Sequence, residues 1–169
     1  MVLGLSFERN VFMQPIVLPD GQTFQLEFAV FDFNGTLAED GRVEREVKKL
    51  LSSLVNELKV IVVTADTFGL VQAELGNVPG LTITIITPGD EALQKAVLVK
   101  KCGDEKTICI GNGANDILMF EQAALSIGVI GPEGACQKTM MKADVVVSNP
   151  KDAIKLLLHP KRLIATLRT

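Results

Sequence analysis

Apolar residues along the chain fall into short continuous runs that alternate with segments of helical periodicity. The run at residues 28–31 predicts a strand buried on both faces, residues 60–63 predict another buried strand, and residues 81–86 predict a β-branched strand. Residues 107–110, 125–130 and 144–147 predict the remaining strands. Between the runs, apolar side chains recur every three or four positions, which predicts helices at 43–58, 68–75, 91–101, 115–123, 133–142 and 151–158. Repeated strand–helix units predict an α/β fold with a doubly wound, mainly parallel, Rossmann-like sheet.

The first part of the chain has a different pattern. Residues 15–18 and 23–27 flank the turn signal Pro19-Asp20-Gly21, and the second segment alternates polar and apolar positions, which predicts a β-hairpin. No linker, repeat or low-complexity tract interrupts the sequence that follows. We therefore expect residues 1–169 to form a single domain, with residues 1–27 as an N-terminal hairpin extension.

Composition narrows the class of protein. Hydrophobic residues make up 47% and charged residues 22% of the chain, as in globular proteins, and the net charge of -3 offers no basic surface for nucleic acid or an anionic membrane. The three cysteines have no CxxC spacing, so a disulfide framework or structural zinc site is not indicated. With no signal-peptide pattern and no apolar run of about 18 residues, we expect a soluble, cytoplasmic protein without nucleic-acid or membrane partners.

Polar clusters follow three of the predicted strands directly. They occupy residues 32–36 (DFNGT), 64–67 (TADT) and 111–116 (GNGAND). The carboxyl ends of parallel strands lie along one edge of a doubly wound sheet, and ligands bind at that edge. We therefore expect the three clusters to form one site.

The residue types in these clusters suit phosphoryl transfer. Asp32 can act as a nucleophile that forms an aspartyl-phosphate, and Gly35 permits a turn in which main-chain N–H groups face an anion. Thr64 supplies a hydroxyl donor, and Asp116 supplies a carboxylate for Mg²⁺. The cation that holds the phosphate is expected between Thr64 and Gly111, where the candidates are Lys95, Lys100, Lys101 and Lys106. Lys95 is favoured because it lies near the start of its helix, with Lys100 as the alternative.

Taken in order, the clusters and Lys95 resemble the four motifs of the haloacid dehalogenase (HAD) superfamily, especially its branch near the phosphorylation domain of P-type ATPases. The resemblance extends from about residue 28 to the C-terminus, and Leu118-Met119 after the last motif is part of it. It implies a HAD-like fold and Mg²⁺ as the cofactor. Four motifs in order are far more specific than any one of them, since alone each can be a turn or a helix cap.

The resemblance also assigns roles to individual residues. The implied metal ligands are Asp32, Asn34, Asn112 and Asp116, with Asn34 acting through its carbonyl. The implied catalytic residues are Asp32, Asn34, Thr64 and Lys95. The implied phosphate-binding positions are Phe33, Asn34, Gly35, Thr64, Ala65, Lys95 and Asn115.

Two positions depart from the family pattern. Asn34 stands where the phosphatases carry a general acid/base aspartate, so acid/base help of roughly 10²–10⁴-fold is lost. In P-type ATPases the same position is a threonine, and the aspartyl-phosphate is correspondingly long-lived. Asn112 stands where most members have a metal-binding aspartate, which predicts weaker metal binding. Asn34 therefore predicts a slow phosphatase or a phosphate-accepting switch, whereas Asn112 bears on metal affinity.

The spacing of the motifs leaves no room for a lid. Residues 37–60 and 67–94 fill the two positions where family members insert a cap domain, and ordinary core elements account for both. We therefore expect a capless domain whose open site accepts a phosphorylated small molecule or a phosphoprotein, or is covered by a second copy in a homo-oligomer. The alternatives are a non-catalytic or regulatory HAD-fold protein that binds a phosphorylated ligand or partner protein, and a free-standing relative of the ATPase phosphorylation domain.

Overall fold

The computed structural model describes residues 13–66 and 69–169. In chain order its strands are β1 (Ile16–Val17), β2 (Thr23–Phe24), β3 (Phe28–Asp32), β4 (Lys59–Thr64), β5 (Thr82–Ile85), β6 (Thr107–Gly111), β7 (Leu125–Val129) and β8 (Val145–Val147). Its helices are α1 (Arg45–Leu54), α2 (Leu70–Leu75), α3 (Glu91–Cys102), α4 (Ile117–Gln122), α5 (Gln137–Met140), α6 (Pro150–Leu158) and α7 (Pro160–Leu167). Short 3₁₀ turns cover Asp104–Lys106 and Ala114–Asp116.

Six parallel strands form the main sheet, in the order β5-β4-β3-β6-β7-β8. The strand order reverses at β3, which lies between β4 and β6. Within this register Asp32 is opposite Val63, and Phe31 is opposite Ile110. The last residues of the three central strands therefore meet at one edge, as the apolar runs predict.

Helices cover both faces of the sheet, and each face has its own core. On one face α1 packs against α6, with Val47, Leu51 and Ile154 among the fully buried side chains. On the other face α3 packs against α4, with Val99 and Met119 fully buried. Because every residue of β3, β6 and β7 is buried, these strands carry apolar side chains at successive rather than alternate positions.

The predicted fold class is confirmed: the protein is a doubly wound α/β structure with an antiparallel hairpin of β1 and β2 at its N-terminal side. Residues 1–12 of the predicted extension lie outside the described residues, as does the first residue of the helix predicted at 68–75. Residues 33–44 and α1 occupy the first potential cap position, and α2 and β5 occupy the second. In the described part of the chain, no added domain lies at either position, and no helix is both long and apolar enough to cross a membrane.

Several helix boundaries differ from the prediction. The helix predicted at 133–142 is reduced to α5, because residues 131–136 form a turn in which Gly134 has a φ of 81°. The Cys136 N–H donates to the Asn112 carbonyl at 2.8 Å, which keeps this turn against the polar edge of the sheet. The helix predicted at 43–58 is also shorter, since its first turn begins only at Arg45.

Candidate active site

Three charged side chains from separate elements meet at the carboxyl edge of the sheet. Asp32 ends β3, Lys95 lies in the second turn of α3, and Asp116 closes the 3₁₀ turn after β6. The Lys95 Nζ donates to Asp32 Oδ1 and to Asp116 Oδ1, both at 2.6 Å. The Lys95 and Asp116 side chains are 1% and 0% exposed. The result is a buried lysine shared by two carboxylates.

The electrostatics of this group follow from its burial. Burial and the nearby Asp116 charge raise the pKa of Asp32 to about 7, although Lys95 and the Thr36 hydroxyl oppose the shift. Burial by itself would lower the pKa of Lys95, but the charges and hydrogen bonds of Asp32 and Asp116 outweigh it, so this pKa is raised. Lys95 is therefore a fixed cation next to Asp32.

Asp116 is held on its other side by the main chain. Its Oδ2 accepts the N–H groups of Asn112 and Gly113, each at 2.9 Å. A Cβ at residue 111 would overlap the Asp116 carboxylate, which explains why a glycine precedes this turn. Both carboxylate oxygens of Asp116 therefore accept hydrogen bonds from the chain, Oδ1 from Lys95 and Oδ2 from the two N–H groups.

Thr36 links the Asp32 carboxylate to Asn112. Its Oγ1 lies 3.2 Å from Asp32 Oδ2 and 3.0 Å from Asn112 Oδ1. The Asn112 Nδ2 donates to the Gly134 carbonyl at 3.1 Å, and this bond fixes which way the amide faces. The sequence analysis gave Thr36 no role. The one sequence signal for this contact was the position of Thr36, a hydroxyl residue four positions after Asp32 across the predicted turn at Asn34-Gly35.

The turn after β3 uses several of its own N–H groups. The Phe33 carbonyl accepts the N–H groups of Thr36, Leu37 and Ala38, and the Gly35 N–H donates to the Ala38 carbonyl at 2.9 Å. Gly35 has a φ of 75°, and a Cβ there would overlap the Asn112 amide. The Gly35 N–H itself is thus engaged within the turn. Gly35 provides the left-handed backbone and the space that Asn112 occupies.

Thr64 ends β4, one residue beyond the partner of Asp32 in the sheet. The residue is 3% exposed, and its hydroxyl oxygen accepts the Asp66 N–H at 3.0 Å. Asp66 in turn accepts the N–H groups of Leu70 and Val71 at the start of α2. Since the Thr64 oxygen acts as acceptor there, its hydrogen is directed elsewhere, as a phosphate-binding hydroxyl requires.

The other predicted site residues lie at the margin of this group. Asn34 and Asn115 are exposed and Ala65 is half-buried, whereas the Phe33 side chain is fully buried in the core. Lys100, the alternative to Lys95, is exposed further along α3. The structure thus places Lys95, and not Lys100, against Asp32.

The oxygen atoms near Asp32 suit a hard cation such as Mg²⁺. Asp32 Oδ2 and Asn112 Oδ1 both face the single Thr36 hydroxyl, whose one hydrogen can serve only one of them. Within residues 13–66 and 69–169, no three His, Cys, Asp or Glu side chains cluster closely enough to hold a metal ion. A cation would therefore depend on at most two carboxylates, Asp32 and Asp116, with amide and carbonyl oxygens, which fits Mg²⁺ chemically but offers little negative charge.

Comparison with known sequences identifies two kinds of relative. An uncharacterized protein of Methanocaldococcus jannaschii, MJ0073, is 49% identical over 71 residues, which is 42% of this chain and 76% of the archaeal protein. The phospholipid-transporting ATPase dnf1 of Schizosaccharomyces pombe is 34% identical over 116 residues, or 60% of this chain but only 7% of the ATPase. No family model matches the sequence.

Comparison with solved structures identifies the fold. A HAD family hydrolase of Streptomyces avermitilis superposes with a TM-score of 0.60 at 21% identity, over 78% of this chain and 82% of the hydrolase. The 3-deoxy-D-manno-octulosonate 8-phosphate phosphatase of Moraxella catarrhalis, solved with magnesium and phosphate ions, superposes with a TM-score of 0.58 at 19% identity. That match covers 85% of this chain and 94% of the phosphatase.

Proposed function

The chain belongs to the family of the archaeal protein MJ0073 and has the fold of the HAD hydrolases, and we propose that it transfers a phosphoryl group to Asp32 in a Mg²⁺-dependent reaction. The observation that carries this proposal is the buried Lys95 held at 2.6 Å from both Asp32 and Asp116. Burying three charged groups together costs free energy, and a site that binds a phosphoryl group gives this arrangement a use.

In the proposed reaction the Asp32 carboxylate attacks the phosphorus atom, and the bond between phosphorus and the leaving oxygen breaks. Lys95 and the Thr64 hydroxyl stabilise the negative charge that develops on the phosphoryl oxygens. Bound Mg²⁺, held by Asp32 with the Asn34 carbonyl and Asn112, would neutralise part of that charge. Asp116 keeps Lys95 in place through its hydrogen bond at 2.6 Å.

Asn34 determines the speed of this reaction. A carboxamide cannot donate a proton to the leaving group or later activate water, so both protons must be exchanged with solvent. Water then attacks the aspartyl-phosphate slowly, releasing inorganic phosphate and regenerating the Asp32 carboxylate. We therefore propose a slow phosphohydrolase with a long-lived aspartyl-phosphate.

The test is Mg²⁺-dependent phosphate release from an aryl phosphate and from acetyl phosphate. We expect low activity in the unmodified protein, none in Asp32→Asn, and an increase of up to roughly 10²–10⁴-fold in Asn34→Asp. Asp20→Asn, in the exposed hairpin turn, is the matched control and should retain the original activity. Equal rates in all four proteins would contradict the proposal.

A second candidate function is favoured by the same two asparagines. A regulatory protein that only binds a phosphorylated ligand or partner needs neither the acid at position 34 nor the extra metal charge at position 112. This candidate predicts that phosphate binds but that Asp32 is never phosphorylated. It becomes the preferred function if the Asn34→Asp variant gains no activity.

A further inference from the structure

A cleft of about 510 Å³ opens beside the turn that follows Asp32. Its walls come from three segments at the carboxyl edge of the sheet: the turn after β3 with the start of α1, the loop after β7, and the loop after β8. Gly35 and Thr36 belong to the wall, and the Thr36 hydroxyl lies 3.2 Å from Asp32 Oδ2. Asp32 itself does not line the cleft, which reaches the proposed nucleophile through Gly35 and Thr36.

The floor of the cleft is apolar. It is formed by Leu37, Ala38, Val43 and Val47, whose exposed fractions are between 0% and 6%. A cleft of this volume accommodates a small organic molecule, and pockets of this kind combine apolar walls with a few polar groups that set specificity. The floor thus favours a ligand with a short apolar segment.

The rim of the cleft is acidic. Glu39, Asp40 and Glu133 are exposed lining residues, and Arg42 is the one exposed cation of the same lining. Within residues 13–66 and 69–169 no lysine or arginine nitrogen lies within ion-pair distance of the three carboxylates, so the charge of the rim is negative on balance. Glu44, also in the lining, is neutralised by Lys151 at 2.8 Å. The potential at the rim therefore disfavours an anionic ligand group and favours a cationic one.

The two loops that carry this rim are joined to each other and to the site. The Asp40 N–H donates to Glu133 Oε1 at 2.8 Å, which links the turn after β3 to the loop after β7. The Asn112 amide donates to the Gly134 carbonyl of the same loop at 3.1 Å. The cleft is thus held open in its present shape by hydrogen bonds rather than formed only when a ligand arrives.

We propose that this cleft binds the alcohol portion of a small phosphomonoester, and that the site selects alcohols with a cationic or neutral polar group over alcohols with a carboxylate. This inference rests on the proposed function at Asp32. In the reaction, the phosphorus–oxygen bond to the alcohol breaks, the phosphoryl group passes to Asp32, and the alcohol oxygen takes a proton from water. The alcohol then leaves through the acidic rim.

The test compares phosphoethanolamine with phosphoglycolate, two esters of similar size whose alcohol portions carry opposite charges. Binding is measured by calorimetry on Asp32→Asn, in which turnover is blocked, and kcat/KM is measured on the unmodified protein. We expect phosphoethanolamine to be favoured by about tenfold in both, since each exposed charge pair contributes about 0.2–1 kcal/mol. Equal affinities, or a preference for phosphoglycolate, would overturn the inference.

Variants without the acidic side chains test whether the rim of the cleft causes the preference between the two esters. In a protein with both Glu39→Gln and Asp40→Asn, we expect the preference for phosphoethanolamine to fall by about threefold or more, because two negative charges of the rim are removed. Asparagine tolerates the φ of 49° at position 40, so the backbone of the turn should be kept. Glu57→Gln, exposed at the opposite edge of the sheet before β4, is the matched control and should keep the preference. An equal fall in the control would mean that net charge, not the cleft, sets the preference, and would overturn the inference.

Acetyl phosphate distinguishes failure of the cleft proposal from failure of the proposed function, because its acetyl group carries no charged substituent for the rim to recognise and its acyl phosphate bond is more reactive than a phosphomonoester. If acetyl phosphate labels Asp32 but the two esters are treated alike, the cleft proposal fails while the proposed function stands. If acetyl phosphate does not label Asp32, the proposed function fails and the cleft proposal fails with it.

Discussion

Replacing Lys95 by methionine removes the cation that two buried carboxylates share. The Lys95 Nζ lies 2.6 Å from an oxygen of each, and the Asp32 and Asp116 side chains are 9% and 0% exposed. Methionine has a similar length and fills the same space, so the main effect of the change is the loss of charge. We expect Lys95→Met to lower the free energy of unfolding by about 3–5 kcal/mol at neutral pH.

The magnitude follows from what the variant leaves behind. The two carboxylate oxygens that now flank Nζ would face each other at no more than about 5 Å, where repulsion amounts to about 3 kcal/mol at an effective dielectric constant near 20. Protonating one carboxyl group relieves the repulsion, so the pKa of that group in the folded variant lies above its unfolded value. The folded variant then holds a proton that the unfolded chain releases, and its stability deficit grows as the pH rises.

The assay is denaturant unfolding at several pH values in the presence of a chelator, so that no bound cation replaces the lysine. Lys100→Met is the matched control, because Lys100 is exposed on the same helix, and it should change stability by less than about 0.5 kcal/mol. If the free energy of unfolding of Lys95→Met is within about 1 kcal/mol of that of the unmodified protein at neutral pH, Lys95 does not stabilise the two buried carboxylates by the expected amount.

Two further substitutions test the surroundings of the site. Gly35→Ala should cost about 1–3 kcal/mol of stability and reduce phosphate release, because the new Cβ is strained at a φ of 75° and overlaps the Asn112 amide. In Glu74→Gln we expect a loss of about 0.5–1 kcal/mol at neutral pH, since the Lys48 hydrogen bond and the Val43 N–H lower the pKa of Glu74. A carboxyl group whose pKa is lowered by folding stabilises the fold at pH values above its ordinary pKa of 4.5, and this stabilisation is lost as the group is protonated in acid. The difference in stability between Glu74→Gln and the unmodified protein should therefore vanish as the pH falls well below 4.5.

Each of these predictions has an outcome that contradicts it. Gly21→Ala is the control for Gly35→Ala, because Gly21 has a φ of 92° but open space around its Cβ position, so it carries backbone strain without the collision. Equal losses in stability and activity for both glycine variants would remove the role assigned to the Asn112 contact. For Glu74→Gln, a stability difference that persists unchanged well below pH 4.5 would mean that the carboxylate charge is not its source.

The sequence predicted the strands, and with them the position of the site, because strands buried on both faces leave continuous apolar runs. The run at 28–31 ends where β3 ends, at Asp32, and the run at 107–110 is followed directly by the turn that carries Asp116. Parallel pairing then brings these residues to one edge of the sheet. No side-chain detail is needed for that inference.

The sequence could not predict which atoms the site residues contact. The hydrogen bonds of Asp116 to Lys95 and to the N–H groups of Asn112 and Gly113 could not be predicted, because a sequence pattern does not place these donors. Metal binding by Asp116 stays a prediction. Thr36 was missed because its role arises only when the turn brings its hydroxyl between Asp32 and Asn112. The helix predicted at 133–142 was too long, because the hydrogen bond from the Cys136 N–H to the Asn112 carbonyl holds residues 131–136 in a turn, and the sequence pattern does not show that contact.

The central claim is that Asp32 accepts a phosphoryl group, and direct detection of the phosphoenzyme is its most direct test. The protein is incubated with Mg²⁺ and acetyl phosphate, quenched in acid and analysed by intact and peptide mass spectrometry. We expect one phosphoryl group on the peptide that contains Asp32, labile to hydroxylamine as an acyl phosphate is, and absent in Asp32→Asn. A phosphoryl group that persists in Asp32→Asn, or none in the unmodified protein, would contradict the account.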